Sequence, residues 1–290
     1  MTQRLLAVHA HPDDESSKGA ATYAYYRSIG TDVTVVSCTG GERGSILNEA
    51  LEARSMAERD LGGLRRLEMK AAQEFMGINH IWLGYQDSGL PDEGEAVPAG
   101  SFATIPIEIS AEPLVRIIRR LRPQVLVTYD ENGGYPHPDH IRAHEIAVFA
   151  RDAAADATRY PEAGPAWQID KLYYDRILNS ARINRVFEYL VKADPTNPLI
   201  ERMAEMRSWM ADREDLSTTH IPASDFFDAR DNALRSHASQ VAPDSAFFFW
   251  PNDMQRQAWP TEDFQLIDSR VETVLPETDL FAGIPQEEVA

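Results

Sequence analysis

His11-Pro12-Asp13-Asp14 and His137-Pro138-Asp139-His140 are the two places where this 290-residue chain concentrates side chains able to do chemistry. Both offer imidazole nitrogens and carboxylate oxygens, the donors that zinc takes in hydrolytic sites, where three protein ligands leave a fourth position open. His11 and Asp14 are three residues apart, so a turn can bring both onto one ion. Asp13 then points elsewhere and is free to take a proton from an attacking water. In the second cluster His140 is the better third ligand, because it opens a helix that fixes its direction. His137 sits nearer the substrate. With Asp139 or another carboxylate on its second nitrogen, it could stay protonated and stabilise an oxyanion or help an amine leave. Tyr135, on the flexible Gly133-Gly134 stretch, is a candidate mobile donor to the same oxygen. His144, one helical turn after His140, ranks below it as a ligand. His9 reads as a hydrogen-bonded core residue, and His80, His220 and His237 as structural or exposed, with His237 able to line the site. Zinc is the favoured ion, and such a donor set also accepts ferrous iron.

Those residues need a frame. Leu5-Leu6-Ala7-Val8 and Val125 to Tyr129 are apolar runs that read as buried strands, each ending just before a His cluster. Thr31 to Ser37 and Ile78 to Leu83 read as two further strands, and Lys171 to Asp175 as one more. Helices are expected over Glu15 to Ile29, Asn48 to Met76 with a break near Gly62-Gly63, Glu112 to Leu121, Ile141 to Ala155, Ile183 to Arg213 and Asp225 to Ser239. Strands alternating with helices predict an α/β fold with a Rossmann-like parallel sheet, helices on both faces and the sites at the carboxyl ends of strands. Residues 1–160 form the expected catalytic region. Residues 161–290 form a smaller C-terminal α/β portion packed over the strand ends to complete the pocket, with an aromatic and proline-rich tail from Phe247.

The formal charge of −18 repels phosphate backbones and anionic lipid, so neither nucleic acid nor membrane is an expected partner. A single cysteine, Cys38, rules out an internal disulfide and suits a reducing compartment. Met1-Thr2-Gln3-Arg4 leads straight into the first strand, so no signal peptide is expected and the cytoplasm is the expected location. Homo-oligomers are compatible with this composition. Gly40-Gly41 after a strand lacks the rest of a phosphate-binding fingerprint. A glycan-binding domain that merely retains a metal site would not require a free base such as Asp13.

Ala10 to Glu15 and His137 to His140 resemble the two motifs of the zinc-dependent N-acetylglucosaminyl-phosphatidylinositol deacetylase-like (LmbE-like) family. Further stretches, Ala7 to Ala21, Thr39 to Leu47, Thr128 to Arg142, Lys171 to Tyr174 and Pro276 to Gly283, are similar to members that act on a small thiol sugar. The resemblance implies a zinc hydrolase acting on the amide at the 2-amino group of a glucosamine ring. The expected reaction cleaves S-conjugates of the thiol sugar, and the alternative removes acetate from N-acetylglucosaminyl-inositol. It also implies that His11, Asp14 and His140 are the ligands, Asp13 the base, His137 the oxyanion-stabilising group or acid and Tyr135 a mobile site residue. Arg65 and Asp87 would hold the inositol and sugar hydroxyls. Lys18, near the mouth, would bind the carbonyl or carboxylate of the acyl arm as a point charge.

Overall fold

In the computed structural model, which describes residues 2–285 apart from 93, 212, 246, 247, 249 and 250, the chain folds around one seven-stranded sheet of order β3-β2-β1-β4-β5-β7-β6. The strands are β1 (Arg4–His9), β2 (Asp32–Thr39), β3 (Asn79–Tyr85), β4 (Val125–Thr128), β5 (Lys171–Asp175), β6 (Thr219–Ile221) and β7 (Glu262–Ser269). The first five run parallel. Alternation along β1 sends Leu5 and Ala7 into one core and Leu6 and Val8 into the other. Both sides of the strand must therefore be covered, which is why its sequence is continuously apolar.

The covering helices come from the crossovers. Helices α2 (Ala20–Ser28), α4 (Leu61–Met76) and α10 (Phe227–Ser236) supply the first core, and α6 (Glu112–Leu121) and α7 (Pro138–Ala155) the second. Arg119 of α6 is buried and donates to the carbonyls of Ala153, Ala154, Asp156 and Arg159, closing the end of α7. The remaining helices are α1 (Asp14–Ser17), α3 (Arg54–Arg59), α5 (Ile107–Ser110), α8 (Ser180–Ala193), α9 (Leu199–Met210) and α11 (Asn252–Ala258). None of the described helices is long and apolar enough to cross a membrane.

Several boundaries differ from expectation. The helix expected over residues 15–29 is two helices, α1 and α2, because Gly19 adopts φ 140° and a Cβ there would meet the Tyr23 ring at 2.9 Å. The break expected near Gly62-Gly63 falls at Asp60, whose side chain accepts the Gly63 N–H at 2.8 Å and starts α4. The sheet is mixed rather than parallel throughout, since β7 runs antiparallel between β5 and β6. β7 and β6 were not expected as strands: Thr219-His220-Ile221 is too short to show a period, and β7 is half polar. Phe247, the expected start of the tail, lies outside the described residues. Further on, Leu280 and Phe281 enter the first core, while buried Glu277 accepts hydrogen bonds from Lys171 and Tyr173.

Candidate active site

The chain runs outward from β1 through β2 to β3 and then returns to place β4 on the other side of β1, so the strand order reverses there and opens a crevice at the carboxyl ends of β1 and β4. The chain puts its two His clusters there: His11 to Asp14 follow β1, and His137 to His140 begin α7 after β4. The crevice closes the 129 residues between His11 and His140 to a ring-nitrogen distance of 3.3 Å.

Hydrogen bonds fix both rings. His140 Nδ1–H donates to the Gly133 carbonyl at 3.0 Å, which turns the Nε2 lone pair inward. His11 has Asp139 Oδ2 at 3.3 Å and Asp87 Oδ1 at 3.6 Å beside Nε2, so that nitrogen carries the proton and the Nδ1 lone pair also points inward. Asp14 Oδ2 completes a triangle, 3.5 Å from His11 Nδ1 and 3.4 Å from His140 Nε2. Two lone pairs and a carboxylate oxygen facing one another repel unless a cation joins them. In a tetrahedral centre with bonds of ~2.1 Å, neighbouring ligand atoms lie ~3.4 Å apart. The triangle fits a metal ion.

Burial and charge agree with that fit. Burial pulls the His140 pKa down to about 3, so the ring is neutral and ready to ligate. Burial opposes ionisation of Asp14, but His140, Lys18 and His11 outweigh it and hold the carboxyl well below its ordinary value. Burial also lowers His11, yet Asp139, Asp14 and Asp87 raise it well above its ordinary value, so without a metal this ring carries a second proton that a cation entering the triangle must displace. A second donor set, His11, His137 and Asp139, also brings one ligand atom from each residue within 4.8 Å of the others. There Asp139 Oδ2 already accepts the Ser88 N–H, and His137 Nδ1 accepts the Asp139 N–H. In the first set Asp14 Oδ2 also accepts a backbone N–H, that of His11 at 3.0 Å, but His11 Nδ1 and His140 Nε2 both face that oxygen at 3.4–3.5 Å with no other partner on the inner side among the described residues.

Asp13 leaves the triangle with φ 105°, a left-handed backbone rare for aspartate, and its carboxylate turns to Arg65 at 3.2 Å. Burial pushes its pKa up against the Arg65 charge, towards the range useful to a base. His137 and Tyr135 flank the site: the His137 ring stands edge-on to His11 at 4.6 Å, and the half-exposed Tyr135 ring lies 4.6 Å from His140.

The structure revises the surroundings of five expected residues. His137 is held on Nδ1 by a backbone N–H, not by a carboxylate, because it caps α7. Burial and the His11 charge lower its pKa to about 4, so it is a neutral ring presenting Nε2–H. Asp139 turns instead to His11, orienting a ligand. Lys18 Nζ sits 2.5 Å from Asp14 Oδ1, so its charge is engaged within the protein. Arg65 is buried and donates to the carbonyls of Gly41 and Pro12, and Asp87 accepts the N–H groups of Arg43 and Gly89; both brace loops. His144 turns away and meets the Tyr129 carbonyl at 3.0 Å. His9 bonds Tyr23 and His80 bonds Ser37.

Tyr129, Asp175 and Glu15 were given no role from the sequence, and His237 was named only as able to line the site. Tyr129 stacks on His140 at 4.5 Å and 18°, and its hydroxyl accepts the Ala10 N–H, which ties the two strand ends together. Asp175, at the end of β5, is half-buried, with its Oδ2 shut off from solvent and its carboxyl within the influence of the Lys18 charge. Glu15 and His237 form a wholly buried pair at 2.8 Å. Burial opposes charge on both, yet each holds the other ionised: Glu15 falls to about 2 and His237 rises above its ordinary value. Glu15 closes the first motif, Ala10 to Glu15, and that position was the signal that could have pointed to it.

Known proteins are similar along the same residues. The chain is 50% identical over 289 residues to the mycothiol S-conjugate amidase of Streptomyces coelicolor, covering 97% of each. It is 40% identical over 290 residues to the 1D-myo-inositol 2-acetamido-2-deoxy-alpha-D-glucopyranoside deacetylase of Streptomyces avermitilis, again covering 97% of each. Among solved structures, N,N'-diacetylchitobiose deacetylase from Pyrococcus horikoshii superposes with a TM-score of 0.60 at 17% identity, over 91% of this chain and 84% of that one. GalB, the 4-carboxy-2-hydroxymuconate hydratase from Pseudomonas putida, superposes at 0.56 and 17% over 95% and 100%. A hydratase on the same fold shows that architecture alone does not choose the reaction. Residues 6–151, which carry both His clusters, match the family described as PIG-L: GlcNAc-PI de-N-acetylase, and the chain belongs to that family.

Proposed function

We propose that this chain is a zinc-dependent amidohydrolase that cleaves the amide of mycothiol S-conjugates, giving glucosaminyl-inositol and an N-acetylcysteine S-conjugate and so removing trapped electrophiles. The observation that carries the reading is the convergence of His11, Asp14 and His140 beside a separate carboxylate, Asp13. The 50% identity to an amidase over 97% of each chain supports the substrate. Residues 1–160 supply the chemistry in this reading, and residues 161–290 complete the pocket.

Zinc held by those three residues would supply a Lewis acid that acidifies water and polarises the amide carbonyl. Asp13 takes the proton of the attacking water. His137 Nε2–H donates to the oxyanion of the tetrahedral intermediate, with the Tyr135 hydroxyl able to swing onto the same oxygen from its two-glycine hinge. The leaving amine receives a proton from Asp13. General acid–base and oxyanion contacts of this kind are each worth roughly 3–5 kcal/mol of barrier.

The 40% identity to a deacetylase favours a second reading, in which acetate is released from N-acetylglucosaminyl-inositol. Both reactions use one site and one amide type. Giving the zinc-loaded enzyme both substrates together separates them. Faster release of the N-acetylcysteine conjugate establishes the amidase, faster release of acetate establishes the deacetylase, and turnover of neither overturns both.

A further inference from the structure

Asp13 holds a backbone conformation that costs an aspartate on the order of 1–3 kcal/mol, so the surroundings must impose it. Two groups do. Arg65 donates to the Pro12 carbonyl at 2.5 Å and to Asp13 Oδ2 at 3.2 Å. Glu15 Oε2 accepts the Asp13 N–H at 2.9 Å. Glu15 is itself held: its other oxygen accepts Ser16 Oγ–H at 2.5 Å and His237 Nε2–H at 2.8 Å, with both Glu15 and His237 fully buried.

We infer that His237 is a positioning residue: acting through Glu15, it fixes the backbone of Asp13 and so aims the Asp13 carboxylate. The inference rests on the reading of Asp13 as the base. His237 ends α10, a helix from the C-terminal half that lies against α4, the helix carrying Arg65. Beyond it, Ser239 donates through its N–H and its hydroxyl to Glu68 of α4, both at 2.7 Å. The restraints on Asp13 therefore come from one packed pair of helices, and one half of that pair lies outside residues 6–151. Without His237, Glu15 keeps only the neighbouring Ser16 on Oε1. Its buried carboxylate is then free to turn, and the Asp13 N–H loses its acceptor.

The test compares two variants of similar polarity. His237→Gln keeps an N–H donor near the position of Nε2; His237→Asn places it too short to reach Glu15. A displacement of about 1 Å at a reacting group can cost ~100-fold in rate. We expect kcat of His237→Asn to fall about 10–100-fold with KM and bound zinc unchanged, and kcat of His237→Gln to stay within about threefold of the parent. Glu15→Gln should lower kcat as His237→Asn does, and combining the two should add little, as for neighbours acting through one contact. Equal kcat in the Asn and Gln variants overturns the inference, as does a loss that tracks zinc content or full additivity with Glu15→Gln. Failure of the base reading shows separately: Asp13→Asn would then keep the parent kcat.

Discussion

Lys18 Nζ lies 2.5 Å from one oxygen of Asp14 while the other oxygen of that carboxylate faces His11 and His140. One side chain thus joins the metal triangle to a lysine that the sequence placed at the substrate mouth. Removing one partner of a buried ion pair costs about 3–5 kcal/mol when the other charge is left alone. Lys18→Met should therefore destabilise the metal-free protein by roughly 3 kcal/mol, and zinc should recover much of that loss by taking over Asp14. Urea unfolding with chelator and with zinc measures both. An identical loss in the two conditions would sink the idea. Conjugate cleavage and deacetylation should fall by the same factor; a selective loss of the former would mean that Lys18 leaves Asp14 for substrate.

Asp13→Asn keeps the shape of the side chain and removes the base. Its kcat should fall about 100- to 10,000-fold, the range for a positioned proton acceptor. Metal content, read by atomic absorption, should stay at the parent value. A variant that loses its metal would make Asp13 a ligand instead.

His140→Ala removes one corner of the triangle, and bound metal and turnover should disappear together. His144 cannot stand in, because its Nδ1 is turned to the Tyr129 carbonyl. Stoichiometric metal retained in this variant would exclude the His11, Asp14, His140 set.

Gly41 has φ 63°, and a Cβ there would lie 2.1 Å from Arg65 Nη1. Gly41→Ala must therefore both strain the backbone, by about 1–2 kcal/mol, and displace the guanidinium that holds Asp13. Gly84 has φ 81° with nothing within 4 Å of a Cβ, so Gly84→Ala carries only the strain. The first substitution should lower kcat by about 10-fold and the second should leave it unchanged. Matching kcat values in the two variants would show that Arg65 does not aim the base.

Burial pushes Asp175 up to about 7, against the Lys18 and Arg176 charges, and its Oδ2 has no hydrogen-bond partner. In the unfolded chain the same group titrates near ~3.9. The folded state therefore holds this proton more tightly. The stability it confers is complete below about pH 4 and is lost as pH rises through about 7. Asp175→Asn should stabilise the protein at pH 8 by on the order of 2 kcal/mol and change little at pH 4, as measured by urea titration. An equal effect at both values would contradict the assignment.

Local chemistry made the centre of the site legible in the sequence. His11 and Asp14 directly follow the apolar strand β1, and His140 lies in the first turn of the helix that follows the apolar strand β4, so both clusters fall at the carboxyl edge of the parallel sheet. Partners were not legible, because a side chain's hydrogen bonds are set by the fold. Nothing near Lys18 in sequence says that it prefers Asp14 to solvent, and nothing near Arg65 announces the Pro12 and Gly41 carbonyls. His237 reaches Glu15 across 222 residues, a distance over which no spacing rule operates. The missed strands fail for another reason. β7 reads as a strand only when β5 is already beside it, and β6 only when β7 is.

That dependence has a consequence during synthesis. β7 occupies the place between β5 and β6, so the sheet cannot be finished until residue 269 has emerged. A nascent chain with β1 to β5 assembled carries an open edge at β5 for about a hundred further residues, roughly 5–20 s of elongation. Open edges are where one chain finds another. Truncation ahead of Glu262 leaves that edge permanently bare, and the product to look for is aggregate, not a smaller enzyme.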